Sequence, residues 1–256
     1  MANTRMRFDG KVALITGGNA GIGLAAGHAF AGQGAKVMIA ARRRAEGEQA
    51  VAAINAAGGE ADFVETDVTS SASVQAMVAA CVARFGRLDV AFNNAGIPGD
   101  VTTDIADAEE DTFERVMAVN VRGVWLSMKY EIREILKAGG GAIINCSSFA
   151  GLRGGPRSSA YYASKHAVLG MTKALALELA PYNVTANAIS PGPFSTEITR
   201  LIERDPVQLA EFNSKIPLGR WGKLEEIGAL AVFPSSDASG FITGTDIVID
   251  GGWTAQ

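Results

Sequence analysis

The chain has 256 residues, 48% of them hydrophobic and 20% charged, with a net charge of −4 at pH 7; this is a globular balance with material for a core of its own, and it argues against disorder. The acidic balance, broken only by the short basic run Arg42 to Arg44, excludes a nucleic-acid footprint, and no apolar run approaches the roughly 20 residues that cross a bilayer. Met1 to Gly10 lacks the apolar segment of a secretory signal, so a cytoplasmic protein without membrane partners is expected, while Cys81, Cys146, His28 and His166 are too few and scattered for a disulfide framework or a metal site.

In chain order, short β-branched or apolar runs predict strands over 11–16, 36–41, 61–66, 88–92, 142–147, 183–189 and 246–249. Helical spacing rich in Ala, Leu, Glu and Met lies between them, over 22–33, 45–57, 71–85, 109–137 and 159–180. Strands alternating with helices call for an α/β fold: a doubly wound sheet of seven parallel strands covered by helices on both faces. No repeat or linker interrupts it, so a single domain over 1–256 is expected. The less regular stretch 191–222, with Pro191, Pro193, Pro206 and Pro217, reads as a mobile insertion rather than a boundary.

The first strand runs into Thr16-Gly17-Gly18-Asn19-Ala20-Gly21-Ile22-Gly23 and then a helix. Glycines there let a pyrophosphate approach the backbone N–H groups of a helix N-terminus, a site for a dinucleotide. The spacing is Gly-x-x-x-Gly-x-Gly rather than the commoner Gly-x-Gly-x-x-Gly. At the end of the second strand, where an acid would bind a ribose 2′-hydroxyl, stands Ala41, followed by Arg42, Arg43 and Arg44. An arginine forms charge-assisted, often bidentate bonds to a phosphate, so Arg42 favours NADP(H), with NAD(H) left open; the alternative is a solvated basic helix start.

The fifth strand ends at Ser147-Ser148, and the next helix carries Tyr161-Tyr162-Ala163-Ser164-Lys165. Tyrosine and lysine four apart share a helix face. A free tyrosine has a pKa near 10, and bringing a phenol to work as a base at neutral pH takes about 3 units, or about 4 kcal/mol of differential interaction, which a neighbouring cation helps to supply. Tyr162 and His166 form a second pair at the same spacing, but a mostly neutral histidine favours a phenolate far less than a lysine does. Tyr161 is therefore the acid–base candidate and Tyr162 a pocket-wall or packing residue. Ser148 is placed to hydrogen-bond a substrate oxygen beside it.

With Asp67-Val68 after the third strand, Asn93-Asn94-Ala95-Gly96 after the fourth and Pro191-Gly192-Pro193-Phe194-Ser195-Thr196 after the sixth, the chain resembles the short-chain dehydrogenases/reductases from Gly10 to Gly252. The resemblance implies a Rossmann-type fold and hydride transfer between a nicotinamide C4 and a carbonyl or secondary alcohol. It implies that Gly17, Asn19, Gly21, Ile22 and Gly23 hold the pyrophosphate side, that Asp67 and Val68 lie beside the adenine, and that Asn94, Ala95 and Gly96 support the cofactor. Pro191, Gly192 and Thr196 would close on the nicotinamide, Tyr161 and Lys165 would touch the cofactor, and Asn120 would complete a catalytic set with Ser148, Tyr161 and Lys165 by holding a water of a proton relay. On the residues alone, Asp67 equally suits a helix N-cap, Asn-Ala-Gly an ordinary turn, and Asn120 a plain polar helix position. Members typically form homotetramers or homodimers.

A substrate lid is expected at about 193–222, with Ile198, Leu201 and Ile202 on one helical stripe and Leu209 and Phe212 as a second pair. Such stripes equally serve to pack on the domain. Asp100, Asp104, Asp107, Glu109, Glu110 and Asp111 make an acidic stretch that disfavours an acidic carrier protein, so a small-molecule alcohol, sugar or ketone is a better substrate than a 3-oxoacyl carrier-protein thioester. The alternative from another class is a non-catalytic nucleotide-binding sensor on the same fold. The intact set Asn120, Ser148, Tyr161 and Lys165 argues against it.

Overall fold

The computed structural model describes residues 6–256, apart from the side chain of Leu201. Residues 1–5, on which the signal-segment reading partly rests, and the Leu201 side chain of the expected lid stripe lie outside the described residues. Seven strands form one parallel sheet: β1 Val12–Thr16, β2 Lys36–Ala41, β3 Glu60–Glu65, β4 Val90–Asn93, β5 Gly141–Cys146, β6 Val184–Pro191 and β7 Asp246–Ile249. Their order across the sheet is β3, β2, β1, β4, β5, β6, β7. The order reverses direction between β1 and β4, and there the crevice of a doubly wound sheet opens.

Both faces are covered because successive side chains of each strand point to opposite sides. Val12, Leu14, Met38 and Ile143 pack under α3 (Ser71–Phe85), α5 (Val124–Lys137) and α6 (Ser159–Leu179). Ala13, Ile15, Val37 and Ile144 pack under α1 (Gly21–Gly32), α2 (Arg44–Ala56) and α9 (Leu224–Val232). A strand buried on both faces reads as a continuous apolar run, which is why Val12–Thr16 shows no polar alternation.

The helix expected over 109–137 is divided. α4 (Glu110–Met117) and α5 are joined by a widened, π-type turn over Ala118–Gly123, and Asn120 sits in it. Such turns insert a residue into the helical ladder and recur at functional sites. The irregular stretch before residue 222 holds two short helices, α7 (Arg200–Arg204) and α8 (Pro206–Ser214). Pro206 starts α8 rather than breaking one, since Asp205 accepts from the N–H groups of Val207 and Gln208 and the missing proline N–H is not needed at the first turn. Ile198 lies in the turn before α7 and is exposed, so it shares no helical stripe with Ile202. α9 has no counterpart among the expected helices; its first turn is closed by Glu226, which accepts from the Lys223 N–H at 2.8 Å.

Candidate active site

The loop between β1 and α1 takes its shape from its glycines. Gly17 has φ +64°, and a Cβ at Gly23 would collide with the Gly17 carbonyl, so helix and loop approach as closely as glycine alone allows. The N-cap of α1 is Ala20, which offers no side-chain acceptor, and the first turn carries no acid. The positive end of the helix is therefore turned to the cleft in front of it, where an anion is favoured.

That cleft has a volume of about 570 Å³. Of the expected cofactor residues, Gly17, Asn19, Gly21, Ile22, Arg42, Asp67, Val68, Asn94, Ala95, Gly96 and Thr196 line it. Gly23 stands behind the loop, and Pro191, Gly192, Tyr161 and Lys165 lie outside the lining. The glycine cradle, the helix terminus and an arginine in the lining together fit a dinucleotide. Arg42 is exposed and, among the described residues, pairs with no carboxylate, whereas Arg44 is engaged by Glu65 at 3.0 Å. Arg43 makes a two-pronged pair with Glu197 at 3.0 and 2.9 Å. Asn19, with its amide oxygen toward Arg43, accepts from Nη2 and Nε at 2.9 and 3.3 Å. Asp67 is not the cap of α3, a role taken by Ser70; its carboxylate accepts from the N–H and hydroxyl of Thr69 at 2.9 and 2.8 Å, fixing the turn at the cleft edge.

Asn94 ties the end of β4 to the glycine loop, donating from Nδ2 to the carbonyls of Thr16 and Gly17, both at 3.2 Å. Thr16 answers: its buried Oγ1 accepts from the Asn94 and Ala95 N–H groups at 3.0 and 3.2 Å. Thr16 had no signal in the sequence beyond its place before Gly17. Neither did Ile97, Pro98 and Val119, which line the cleft beyond Gly96.

At the inner end, Lys165 is buried and its Nζ donates to the Cys146 carbonyl at 2.9 Å while standing 5.6 Å from the centre of the Tyr161 ring. A Cβ placed on Gly96 would lie 3.4 Å from Asn120 Oδ1 and 3.6 Å from Lys165 Nζ. The loop after β4, the widened turn and α6 thus converge on one point, with Gly96 leaving the room between them. The Asn120 side chain is fully engaged: Oδ1 accepts from the Ile97 N–H at 2.9 Å, and Nδ2 donates to the Ile97 carbonyl at 2.9 Å and to Ser164 Oγ at 3.1 Å. Ser164 Oγ in turn donates to the Tyr161 carbonyl at 2.7 Å. Ser148, just past β5, is buried and accepts from the Ala150 N–H at 3.2 Å. Among the described residues no hydrogen bond joins Ser148 to Tyr161.

His166 bonds the Tyr162 carbonyl at 2.9 Å rather than its phenol. Burial, and next the neighbouring Tyr161, push the Tyr162 phenol up and away from ionisation, with Arg153 only partly offsetting them. A Cβ on Gly155 would strike the Tyr162 hydroxyl, so Tyr162 packs under that loop. Beyond Ser148, Phe149 stacks on Trp253 and Trp253 on Phe212 of α8, each with centroids 5.1 Å apart. Trp253, near the C-terminus, joins α8 to the segment after β5, a contact that sequence reasoning missed.

A glycine-cradled cleft with a lysine ammonium and a tyrosine ring beside its Gly96 end is an arrangement that suits a nicotinamide-dependent oxidoreductase acting on C–OH and C=O groups. Comparison with known proteins gives the family. The model described as enoyl-(acyl carrier protein) reductase matches residues 17–254. The 2,5-dichloro-2,5-cyclohexadiene-1,4-diol dehydrogenase of Sphingobium indicum is 42% identical over 99% of both chains. Cyclohexanol dehydrogenase of Acinetobacter is 38% identical over 98% of this chain and 97% of its own. The crystal structure of a gluconate 5-dehydrogenase from Burkholderia cenocepacia, in complex with NADP and tartrate, superposes with a TM-score of 0.95 at 34% identity over the whole of both chains. The chain belongs to the short-chain dehydrogenase/reductase family and is an NAD(P)-dependent oxidoreductase.

Proposed function

We propose that the chain is an NADP(H)-preferring dehydrogenase of small secondary alcohols and the corresponding ketones, with Tyr161 as acid–base residue. The convergence of Lys165 Nζ, Asn120 and Gly96 beside the Tyr161 ring carries this reading. The glycine loop would hold the pyrophosphate, Arg42 the 2′-phosphate, and Thr196, whose methyl would touch a Cβ on Gly21 at 3.2 Å, the nicotinamide side. The cofactor supplies a hydride acceptor or donor when bound. In oxidation, Ser148 Oγ would donate to the substrate oxygen while the Tyr161 phenolate takes the substrate's hydroxyl proton; in reduction the Tyr161 hydroxyl would donate to the carbonyl oxygen and give that proton back. Lys165 holds its charge next to that phenol. With the Asn120 side chain fully engaged, its part in a proton relay falls to the main chain at the widened turn, where the regular helical ladder is interrupted.

Residues 193–222 serve as the lid, and the Phe149–Trp253–Phe212 stack forms an aromatic wall that suits a ring-shaped apolar alcohol, the class named in the cyclohexanol relative. Carrier-protein thioesters, as acidic partners, fit less well with the acidic stretch 100–111, of which Asp104 pairs with Arg157 at 3.2 Å in the loop before Tyr161. The whole chain acts as one domain in a homotetramer or homodimer, for which exposed Trp125, Leu177 and Phe241 offer apolar contacts. A cytoplasmic location agrees with two buried, unpaired cysteines. No helix among the described residues is long and apolar enough to cross a membrane.

The test is nicotinamide absorbance with NADP⁺ and NAD⁺ against cyclic and open-chain secondary alcohols, run beside Tyr161→Phe. Turnover of cyclic alcohols with NADP⁺, lost in the variant, is expected. Unchanged turnover by the variant sinks the assignment.

A further inference from the structure

Behind the site, on the α5 side of the sheet, lies a chain of buried polar side chains that the mechanism above does not use. Glu131 of α5 is 0% exposed, and its Oε2 accepts from Asn93 Nδ2 at 3.0 Å. The other Nδ2 hydrogen goes to Asn145 Oδ1 at 3.1 Å, and Asn145 Nδ2 donates to Thr172 Oγ1 at 2.9 Å. One run of bonds therefore crosses from α5 through β4 and β5 to α6. Two atoms in it have no partner, Glu131 Oε1 and Asn93 Oδ1, and both are acceptors if the carboxyl is ionised. Buried acceptors without donors are rare in folded proteins.

These two orphans belong to the very pair already joined through Oε2 and Nδ2. A single proton on Oε1 would supply the donor that both orphans lack and let the pair close into a ring, amide N–H to carboxyl oxygen and carboxyl O–H to amide oxygen. We propose that Glu131 works as a neutral carboxylic acid, donating from Oε1 to Asn93 Oδ1, and is a positioning residue that joins the cofactor loop to the catalytic strand. Asn93 immediately precedes Asn94, Ala95 and Gly96. Asn145 precedes Cys146, whose carbonyl holds Lys165 Nζ, and then Ser147 and Ser148. The surroundings agree. Burial holds the Glu131 carboxyl up at about 8, only partly offset by the Asn93 hydrogen bond. Among the described residues no cation pairs with it, β4, β5 and α6 contribute Asn93, Asn145 and Thr172, and the titratable neighbour is Cys81 of α3, itself pushed up to about 12.

Glu131→Gln tests this on the full-length enzyme, because glutamine reproduces the neutral acid: its oxygen accepts from Asn93 Nδ2 and its amide donates to Asn93 Oδ1. Glu131→Leu keeps the volume and removes both bonds. At pH 7 the infrared difference between wild type and E131Q is expected to show the carbonyl stretch of a protonated carboxylic acid, fading above pH 8; Asp246, also raised by burial, cancels in the difference. The effect on turnover rests on the site assignment proposed above, whereas the infrared band does not. E131Q should keep its dinucleotide KM within about twofold of wild type at pH 7, since both bonds persist. Between pH 7.5 and 9.5 the wild-type KM should rise about tenfold, the equivalent of one lost buried hydrogen bond, while that of E131Q stays flat. E131L should show the raised KM at every pH. Absence of the acid band, an alkaline rise in E131Q equal to that of wild type, or an E131Q as impaired as E131L at pH 7 would each overturn the proposal.

Discussion

Thr16→Val replaces a hydroxyl by a methyl of nearly the same shape at a position 2% exposed. The two main-chain N–H groups of Asn94 and Ala95 then lose their common acceptor. An unsatisfied buried donor costs about 1–3 kcal/mol, and since both residues are half-buried the lower half of that range, about 1–1.5 kcal/mol, applies to each, or about 2–3 kcal/mol for the pair. In a chain of this length that lowers Tm by roughly 5–10 °C, at about 2–4 °C per kcal/mol. Thr16→Ser keeps the oxygen and loses one methyl, about 0.8 kcal/mol, so it should melt between wild type and T16V. The same loop borders the cleft, so cofactor affinity, titrated by protein fluorescence, should weaken in T16V and hold in T16S. A T16V enzyme that melts no lower than T16S and binds NADPH equally well refutes the claim that Thr16 Oγ1 fixes the Asn-Ala-Gly loop.

Tyr161→Phe should lower kcat by about 10²–10⁴-fold, the usual contribution of a positioned acid–base group, while the dinucleotide Kd stays near wild type. Cys81 is held near 12 by burial, and next by Glu131 and Asp89, and burial also raises Cys146; neither thiol should be alkylated in the native enzyme at pH 7.5, and both should be in denaturant. Glu131 bears on stability with a definite sign. Its folded value of about 8 lies above the ordinary 4.5, so its contribution is fully present below pH 4.5, is lost as pH rises to about 8, and is constant beyond. Unfolding free energies of wild type and E131Q should therefore diverge over that window, by up to about 1.4 kcal/mol per pH unit, and run parallel outside it.

The strands were legible because each is short, apolar and followed by a loop with its own chemistry, and Lys36–Ala41 and Asp246–Ile249 fall where their runs end. The expected cofactor residues found in the cleft lining, Gly17, Arg42, Asp67 and Asn94 among them, were legible for the same reason, since loops after parallel strands carry the ligand contacts. Three things were not. The break at Ala118–Gly123 leaves helical residue types and spacing on both sides, so nothing local marks the extra residue in the ladder. α7, α8 and α9 are nine residues or fewer, and their prolines and caps read as turns until tertiary contacts such as Phe212 on Trp253 fix them. Pairings between distant residues, Thr16 with Asn94 or Arg43 with Glu197, follow from strand order, which the pattern of a single chain does not give.

Strand order also separates binding from chemistry. Arg42 follows β2 and Ser148 follows β5, three steps apart in the sheet, or about 14 Å at about 4.8 Å per step. The glycine loop after β1 and Asn94 to Gly96 after β4 lie between them, so a dinucleotide bound as proposed would have its phosphate-bearing ribose at one end and its reactive ring at the other. A contact three strands from the reacting carbon is made equally in ground and transition states, and such uniform binding lowers KM without raising kcat. Arg42→Ala should therefore raise the KM for NADPH by roughly 10–100-fold, as expected for one charge-assisted pair, and leave kcat at saturation nearly unchanged, with the KM for NADH little affected. Ser148→Ala, which would remove the bond proposed to the developing charge on the substrate oxygen, should lower kcat by about 10²-fold with the NADPH KM intact. If R42A lowered kcat at saturating NADPH as much as S148A does, the two ends would not be independent, and the placement of the ribose phosphate over β2 would be wrong.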